Sequence, residues 1–252
     1  MIPLKELVDY TNTLLNITDF HDYAPNGLQV EGCAEVGKIV SGVTASLALI
    51  EAAVQEKADA LIVHHGYFWK GEDPCITGMK QLRLRQLLAN GISLLAYHLP
   101  LDAHPHYGNN VQLAKKLEFK INGGFGRDGK NMIAMYGELP DPMSASGLSA
   151  HIANCLGREP LHIPGYSSSI RTIAWCTGAA QGYFDQAVSA GVDAYLTGEV
   201  SEQTTHIARE TGVHFFCAGH HATERYGVQA LTGHLAEIFM LDHKFIDIDN
   251  PV

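Results

Sequence analysis

KIVSGVTASLALIEAAVQEKADALIVHHG, residues Lys38–Gly66, is the stretch on which the reading of this chain turns. An apolar run, Lys38–Val43, has the composition of a buried strand. Ser46 suits a helix N-cap, and Leu47, Ile50 and Val54 then recur on one helical face. A second short apolar run, Leu61–Val63, stops abruptly in His64, His65 and Gly66. This is a strand–helix–strand pattern whose last strand ends in two imidazoles, at the edge where open α/β sheets place their chemistry.

TIAWCTGAAQGYFDQAVSAGVDAYLTGEV, Thr172–Val200, fits beneath that stretch without a gap. Ile39 falls on Ile173, Ala53 on Ala187, Val54 on Val188, Asp59 on Asp193 and Ala60 on Ala194. The flanks agree as well. A helix over Pro3–Leu15, with Leu4, Leu7, Val8, Leu14 and Leu15 at helical spacing, corresponds to Ser146–Leu156, which Gly157 ends. A strand over Ile92–Tyr97 corresponds to Val213–Cys217. Leu28–Val30 reads as a short strand after the Asn26-Gly27 turn. Gly71–Gly78 and His98–Asn109 read as loops, and Met79–Asn90 and Asn110–Leu117 as helices. The fold class expected is therefore α/β, with two similar units related by internal duplication, each a mostly parallel sheet flanked by helices. The units are placed at 1–122 and 123–252, with Ile121–Pro140 bridging them. The expected C-terminal strand, Phe245–Ile248, is free to pack on either unit.

The composition bounds the function classes. The 252 residues are 46% hydrophobic and 17% charged, an ordinary globular balance. No apolar run approaches the roughly 18 residues of a membrane span. The start, MIPLKELVDY, carries charges where an export signal has its apolar segment. Cys33, Cys75, Cys155, Cys176 and Cys217 form an odd, scattered set without C-x-x-C, which suits reduced thiols in a cytoplasmic protein. A formal net charge of −10 opposes nucleic-acid binding by overall electrostatics. The 14 histidines are the departure from the ordinary.

The duplication gathers some of those histidines. His64 and His65 end one strand, and Asp102 lies in HLPLD, the loop after the next. In the second unit the matching loop, GHHATE, carries His220 and Glu224, four apart and so on one helical face. Glu224 is three on from His221, which shares a face with it equally well, so spacing alone leaves His220 and His221 both open. If the units face each other across a cleft, three nitrogens and two carboxylates could meet there. That set suits zinc, manganese, iron, cobalt or nickel and not a calcium cage. Neighbouring strand residues point to opposite sides, so adjacent histidines fit two metal ions roughly 3.5–4 Å apart better than one. There is no G-x-G-x-x-G, no G-x-x-x-x-G-K-[ST] and no H-E-x-x-H.

APNGLQVEG, GVTAS, ADALIVHHGYFWKG, LPLDAH, TGEVSEQ and GHHATERYG together resemble the NIF-three-like dinuclear metal-binding family, also called GTP cyclohydrolase 1 type 2 homologues. The resemblance implies two related α/β domains with a dinuclear site between them. It implies His64, His65, Asp102, His220 and Glu224 as the metal ligands, two divalent ions per chain, and self-association into a toroidal homohexamer, a trimer of dimers. It also links the chain to protection from radiation damage through degradation of damaged nucleotides.

Around that set stand further candidates. His98 is read as a general acid/base or as the partner that orients a ligand, against a loop-stabilising role. Glu199 is read as a base or as the acceptor for a ligand histidine, against a helix N-terminal acid. Thr44 and Lys70 are substrate-binding candidates, against a helix-entry hydroxyl and a solvated charge. Phe68 and Trp69 are read as stacking a base or a pterin ring, against core or interface packing. Asn110 is read as capping or tethering the Asp102 loop, and His104 and His106 as loop histidines. Three functions are carried forward. The first is a metal-dependent hydrolase acting on a nucleotide or related heterocycle, the second a non-catalytic metal-binding ring or adaptor. The third is a ring that encircles DNA, which the net charge opposes. No membrane partner is expected.

Overall fold

The computed structural model describes residues 1–128 and 130–252. In chain order its elements begin β1 (Ile2–Pro3), α1 (Leu4–Leu14), β2 (Gly27–Val30), β3 (Glu35–Val36), β4 (Lys38–Thr44), α2 (Leu47–Gln55), β5 (Ala60–His65), α3 (Gly78–Ala89), β6 (Ser93–Ala96) and α4 (Leu99–Ala103). They continue as α5 (Asn109–Lys116), β7 (Lys120–Asp128), β8 (Asn131–Met143), α6 (Ala145–Leu156), β9 (Leu161–Ile163), β10 (Ile170–Trp175), α7 (Phe184–Ser189), β11 (Ala194–Thr197), α8 (Glu202–Thr211), β12 (His214–Cys217), α9 (His220–Phe239) and β13 (Asp242–Phe245).

The chain forms two compact units. The first comprises Met1–Gly108 with Gly227–Asp249, the second Asn109–Tyr226 with Asn250–Val252. The boundary is thus not a single cut at residue 122. The cause is the C-terminal segment: β13 pairs in parallel with β4, and Val228, Leu231 and Leu235 are buried with Leu4, Leu7 and Tyr97. The strand itself lies a few residues earlier than 245–248. Ile246 follows it with a backbone hydrogen bond to Ser41 O, and Ile248 packs against the first-unit core.

In the first unit the sheet order is β13-β4-β5-β6-β2, parallel except for the edge strand β2. Ile39, Val40, Leu61, Ile62 and Val63 are fully buried, as expected of central strands covered on both faces. Ser46 caps α2 by accepting Leu49 N–H, and Leu49, Ile50 and Ala53 are its buried face. The second sheet runs β7-β8-β10-β11-β12-β9. Only β10, β11 and β12 are mutually parallel, so this sheet is mixed rather than mostly parallel. The reason is the expected bridge Ile121–Pro140. It is not a linker but the antiparallel hairpin β7–β8, joined to β10. The His98–Asn109 loop also contains structure, the short helix α4 with proline in its first turn.

The duplication survives at atomic detail. Ile39 pairs with Ala60 as Ile173 pairs with Ala194, the same aligned residues in both units. Asp59 Oδ2 accepts the N–H groups of Gly37 and Lys38 at 2.8 and 2.9 Å, at the start of β4. Asp193 Oδ2 accepts those of Arg171 and Thr172, both at 2.9 Å, at the start of β10. The carbonyls of the two aspartates then accept Ser93 N–H and His214 N–H, where β6 and β12 begin. One aspartate therefore ties together the beginnings of three parallel strands in each unit. Burial pushes the Asp193 carboxyl up, but the hydrogen bonds from Thr172 and Arg171 outweigh it and hold it below the usual range. Asp193→Ala leaves those N–H groups without their charged acceptor. It should lower the unfolding free energy by about 1–3 kcal/mol, read from the urea midpoint at unchanged slope. A midpoint equal to wild type would show that the carboxylate does not lock the strand starts.

Candidate metal centre

The first unit presents one cluster at the end of β5. His64 is fully buried. Its Nδ1–H donates to Tyr97 O at 2.8 Å, which fixes the tautomer and leaves a lone pair on Nε2. That nitrogen faces Asp102 Oδ1 at 3.5 Å. An imidazole nitrogen and a carboxylate oxygen at this distance in a buried site are donors of the kind a divalent cation takes. His65 is half-buried, its Nδ1 3.2 Å from Thr44 Oγ1. The strand does not end between the two histidines, since β5 runs through His65, yet their rings lie 4.4 Å apart. His98 joins them. Its ring lies 5.2 Å from that of His64 and 5.7 Å from that of His65. The three imidazoles bring ligand atoms within 4.8 Å of one another, a group that could hold a metal ion.

Two residues that sequence reading passed over build this cluster. Asp22 accepts the His98 Nδ1–H at 2.6 Å and the Leu99 N–H at 2.9 Å. Asn26 donates to Asp22 at 2.8 Å and accepts the His98 N–H at 2.7 Å. Together they cap α4 and so position Asp102. Burial pushes the Asp22 carboxyl up, but the hydrogen bond and charge of His98, then Asn26 and the Leu99 N–H, hold it at about 2. Only the turn formers of DYAPNG mark this place in the sequence.

The second unit presents another cluster, at the start of α9. His220 Nδ1–H donates to Glu199 Oε1 at 2.7 Å, and Nε2 lies 3.0 Å from Glu224 Oε2. Glu224 is buried. Glu199 is thus the acceptor that orients His220, one of its two expected roles. Thr223 braces the turn, donating to His220 O and accepting Gly178 N–H. Gly178, at φ +69°, is required here: a Cβ would come within 2.0 Å of Glu224 Oε1 and 3.1 Å of His220 Nε2. In the duplicated alignment Gly178 occupies the place of Thr44, and Glu199 that of His65. His221 donates its backbone N–H to Val252 O at 3.0 Å.

Other candidates fall elsewhere. Lys70 is exposed, its backbone N–H donating to Tyr23 O at 2.6 Å. Asn110 acts within the second unit. It donates to Ile133 O and accepts Thr177 N–H, holding strand ends of the second unit. His104 accepts the backbone N–H groups of His106 and Tyr107, a loop histidine as expected.

The chain belongs to a known family. A model of the family Duf34/NIF3 (NGG1p interacting factor 3) matches residues 2–251, and the chain is a member of it. A Pseudomonas aeruginosa protein named GTP cyclohydrolase 1 type 2 homolog is 58% identical over 250 residues, covering 99% of each chain. Among solved structures, a protein named ybgI superposes with a TM-score of 0.96 at 52% identity over 100% of both chains. TTHA1606 from Thermus thermophilus gives 0.89 at 34% identity, again over 100% of both. Among the described residues, no helix is long and apolar enough to cross a membrane.

The His220 cluster makes a testable electrostatic statement. Burial pulls the imidazole down, but the hydrogen bond and charge of Glu224, then those of Glu199, outweigh it and push His220 up to about 9. A group raised in the folded state stabilises fully below its unfolded value near 6.5, and loses that contribution as pH rises through about 9. In chelator-stripped protein the His220 Cε1–H resonance should therefore titrate near 9, with stability falling over the same interval. A midpoint at or below 6.5 would contradict the two-carboxylate environment.

Proposed function

We propose that the chain is a metal-dependent hydrolase acting on a nucleotide or a related heterocycle, damaged nucleotides included. The observation that carries this reading is the donor set. In each unit a histidine whose Nδ1–H is held by an oxygen acceptor presents Nε2 to a carboxylate, His64 to Asp102 and His220 to Glu224. His65 adds a third nitrogen. The chemistry of these five donors suits divalent ions of the zinc, manganese, iron, cobalt or nickel class, two per chain in this reading.

Two such ions supply Lewis acidity and a water acidified to near neutral pH. The residues of this chain do the rest. Tyr97 O and Glu199 hold the ligand imidazoles in one tautomer and orientation. Asp22 holds His98 through Nδ1, so that Nε2 is the nitrogen left to accept or deliver a proton beside His64 and His65. Glu199, engaged with His220, acts as an orienting acceptor rather than as the base. The naming of relatives as GTP cyclohydrolase 1 type 2 homologs supports a nucleotide-type substrate. Self-association into a homohexameric ring is part of the reading, supported by the exposed apolar side chains Ile76, Met79 and Leu82.

Protein purified without chelator should contain about two transition-metal ions per chain by elemental analysis, the pair expected of a two-metal hydrolytic site. Asp102→Ala and Glu224→Ala should each lose at least about one of them and lower kcat/KM on a nucleotide and phosphoester panel by roughly 100-fold or more. Full metal content with no turnover on any member of the panel would overturn the hydrolase reading.

A further inference from the structure

The turn that follows His65 is built more firmly than a surface turn requires. Gly66 has no room for a side chain: a Cβ would lie 2.2 Å from Gln29 Oε1 and 2.6 Å from the Ala96 Cβ. Gln29 clasps the next residue from both sides, accepting Tyr67 N–H at 2.7 Å and donating to Tyr67 O at 3.1 Å. The Tyr67 hydroxyl donates to Ala45 O, which anchors the turn to the end of β4. Phe68 then adopts φ 65°, a left-handed conformation that a bulky residue avoids. Beyond it Trp69 N–H donates to Glu72, Glu72 N–H donates back to Trp69 O, and Lys70 N–H donates to Tyr23 O.

All of this delivers one side chain. Trp69 stands edge-to-face against His98, with ring centroids 5.0 Å apart and planes at 84°, and 6.0 Å from the His65 ring. It is not a core residue. Trp69 is itself half-buried, and Phe68 and residues 70–79 around it are exposed. Nor is it an accidental surface tryptophan, because a strained residue and three backbone hydrogen bonds hold it in place. An edge-on contact of this kind does not use up both faces of an indole. The indole itself lies beside the imidazoles of the metal cluster.

We propose that Trp69 is a substrate-positioning residue, the stacking wall of a subsite for a planar heteroaromatic ring of nucleobase size, beside His65 and the Asp22-held His98. Stacking recognises the face of such a ring without reading its hydrogen-bonding edge, so the subsite accepts the class rather than one base. With Nδ1 held by Asp22, Nε2 of His98 is the nitrogen that would supply a polar contact to such a ring. The proposal names the substrate class for the function proposed above and rests on that reading. It places the ring of the substrate, not its scissile bond, against the protein.

The chain has two tryptophans, and the other, Trp175, is fully buried in the second unit. A ligand-dependent change in fluorescence therefore reports Trp69, over a constant background from Trp175. GMP and ribose 5-phosphate serve as probes with and without the ring, on chelator-stripped and on cobalt-loaded protein. GMP should quench wild-type emission saturably in the cobalt-loaded form, and ribose 5-phosphate should not. The signal should be absent in Trp69→Phe. By equilibrium dialysis Trp69→Ala should bind GMP about tenfold more weakly and Trp69→Phe within about threefold of wild type, while cobalt content stays equal in all three. Unchanged GMP affinity in Trp69→Ala, equal quenching by ribose 5-phosphate, or no saturable GMP binding at all would overturn the proposal. Failure of cobalt to bind would instead count against the metal reading, and dialysis on stripped protein would still decide the role of Trp69.

Discussion

One carboxylate in each unit, Asp59 and Asp193, fixes the start of the parallel strands, and the position of everything at their far ends follows. Each accepts the backbone N–H groups that open one strand, while the carbonyl of the same residue receives the N–H that opens another. In a parallel sheet a slip of one residue would exchange the two faces and send the strand-end side chains the wrong way. With the starts pinned, Thr44 is paired with His65 at the end of the first pair of strands. The same arithmetic puts Gly178 and Glu199 at the corresponding ends in the second unit. The structural lock and the chemical residues are thus at opposite ends of the same strands, which is how the scaffold was copied while its ends diverged.

That divergence is physical. In the first unit the strand end keeps an imidazole, and Thr44 fills the space beside it. In the second, the same place is glycine, and the vacated volume is taken by Glu224 and His220 from the following helix. Both arrangements reach the same local chemistry. An imidazole is fixed through Nδ1 by an oxygen and turned by Nε2 toward a carboxylate. Convergence on one motif from unlike residues argues that the motif, rather than the sequence at either strand end, is what the fold maintains.

Much of this was legible in the chain itself. The duplication was readable because buried parallel strands are short apolar runs, and Asp59 and Asp193 fall in register between them. The histidines at 64 and 65 were readable because imidazoles seldom end such a run. What was not legible were contacts between residues distant in sequence. Nothing around Asp22 announces that it holds His98, 76 residues away. The hairpin β7–β8 was missed because glycines interrupt its alternation, and α4 because its proline and aspartate read as turn formers when they are the first turn of a helix. The C-terminal strand found its partner only in three dimensions, through an edge of β4 that the local pattern does not mark.

The central claim of the proposed function is that the chain holds two metal ions on these donors. Anomalous diffraction from crystals grown with cobalt tests it directly. The proposal predicts two peaks per chain, each against donors drawn from His64, His65, Asp102, His220 and Glu224. A single peak held by His64, His65 and His98 alone, with none against His220 and Glu224, would contradict it.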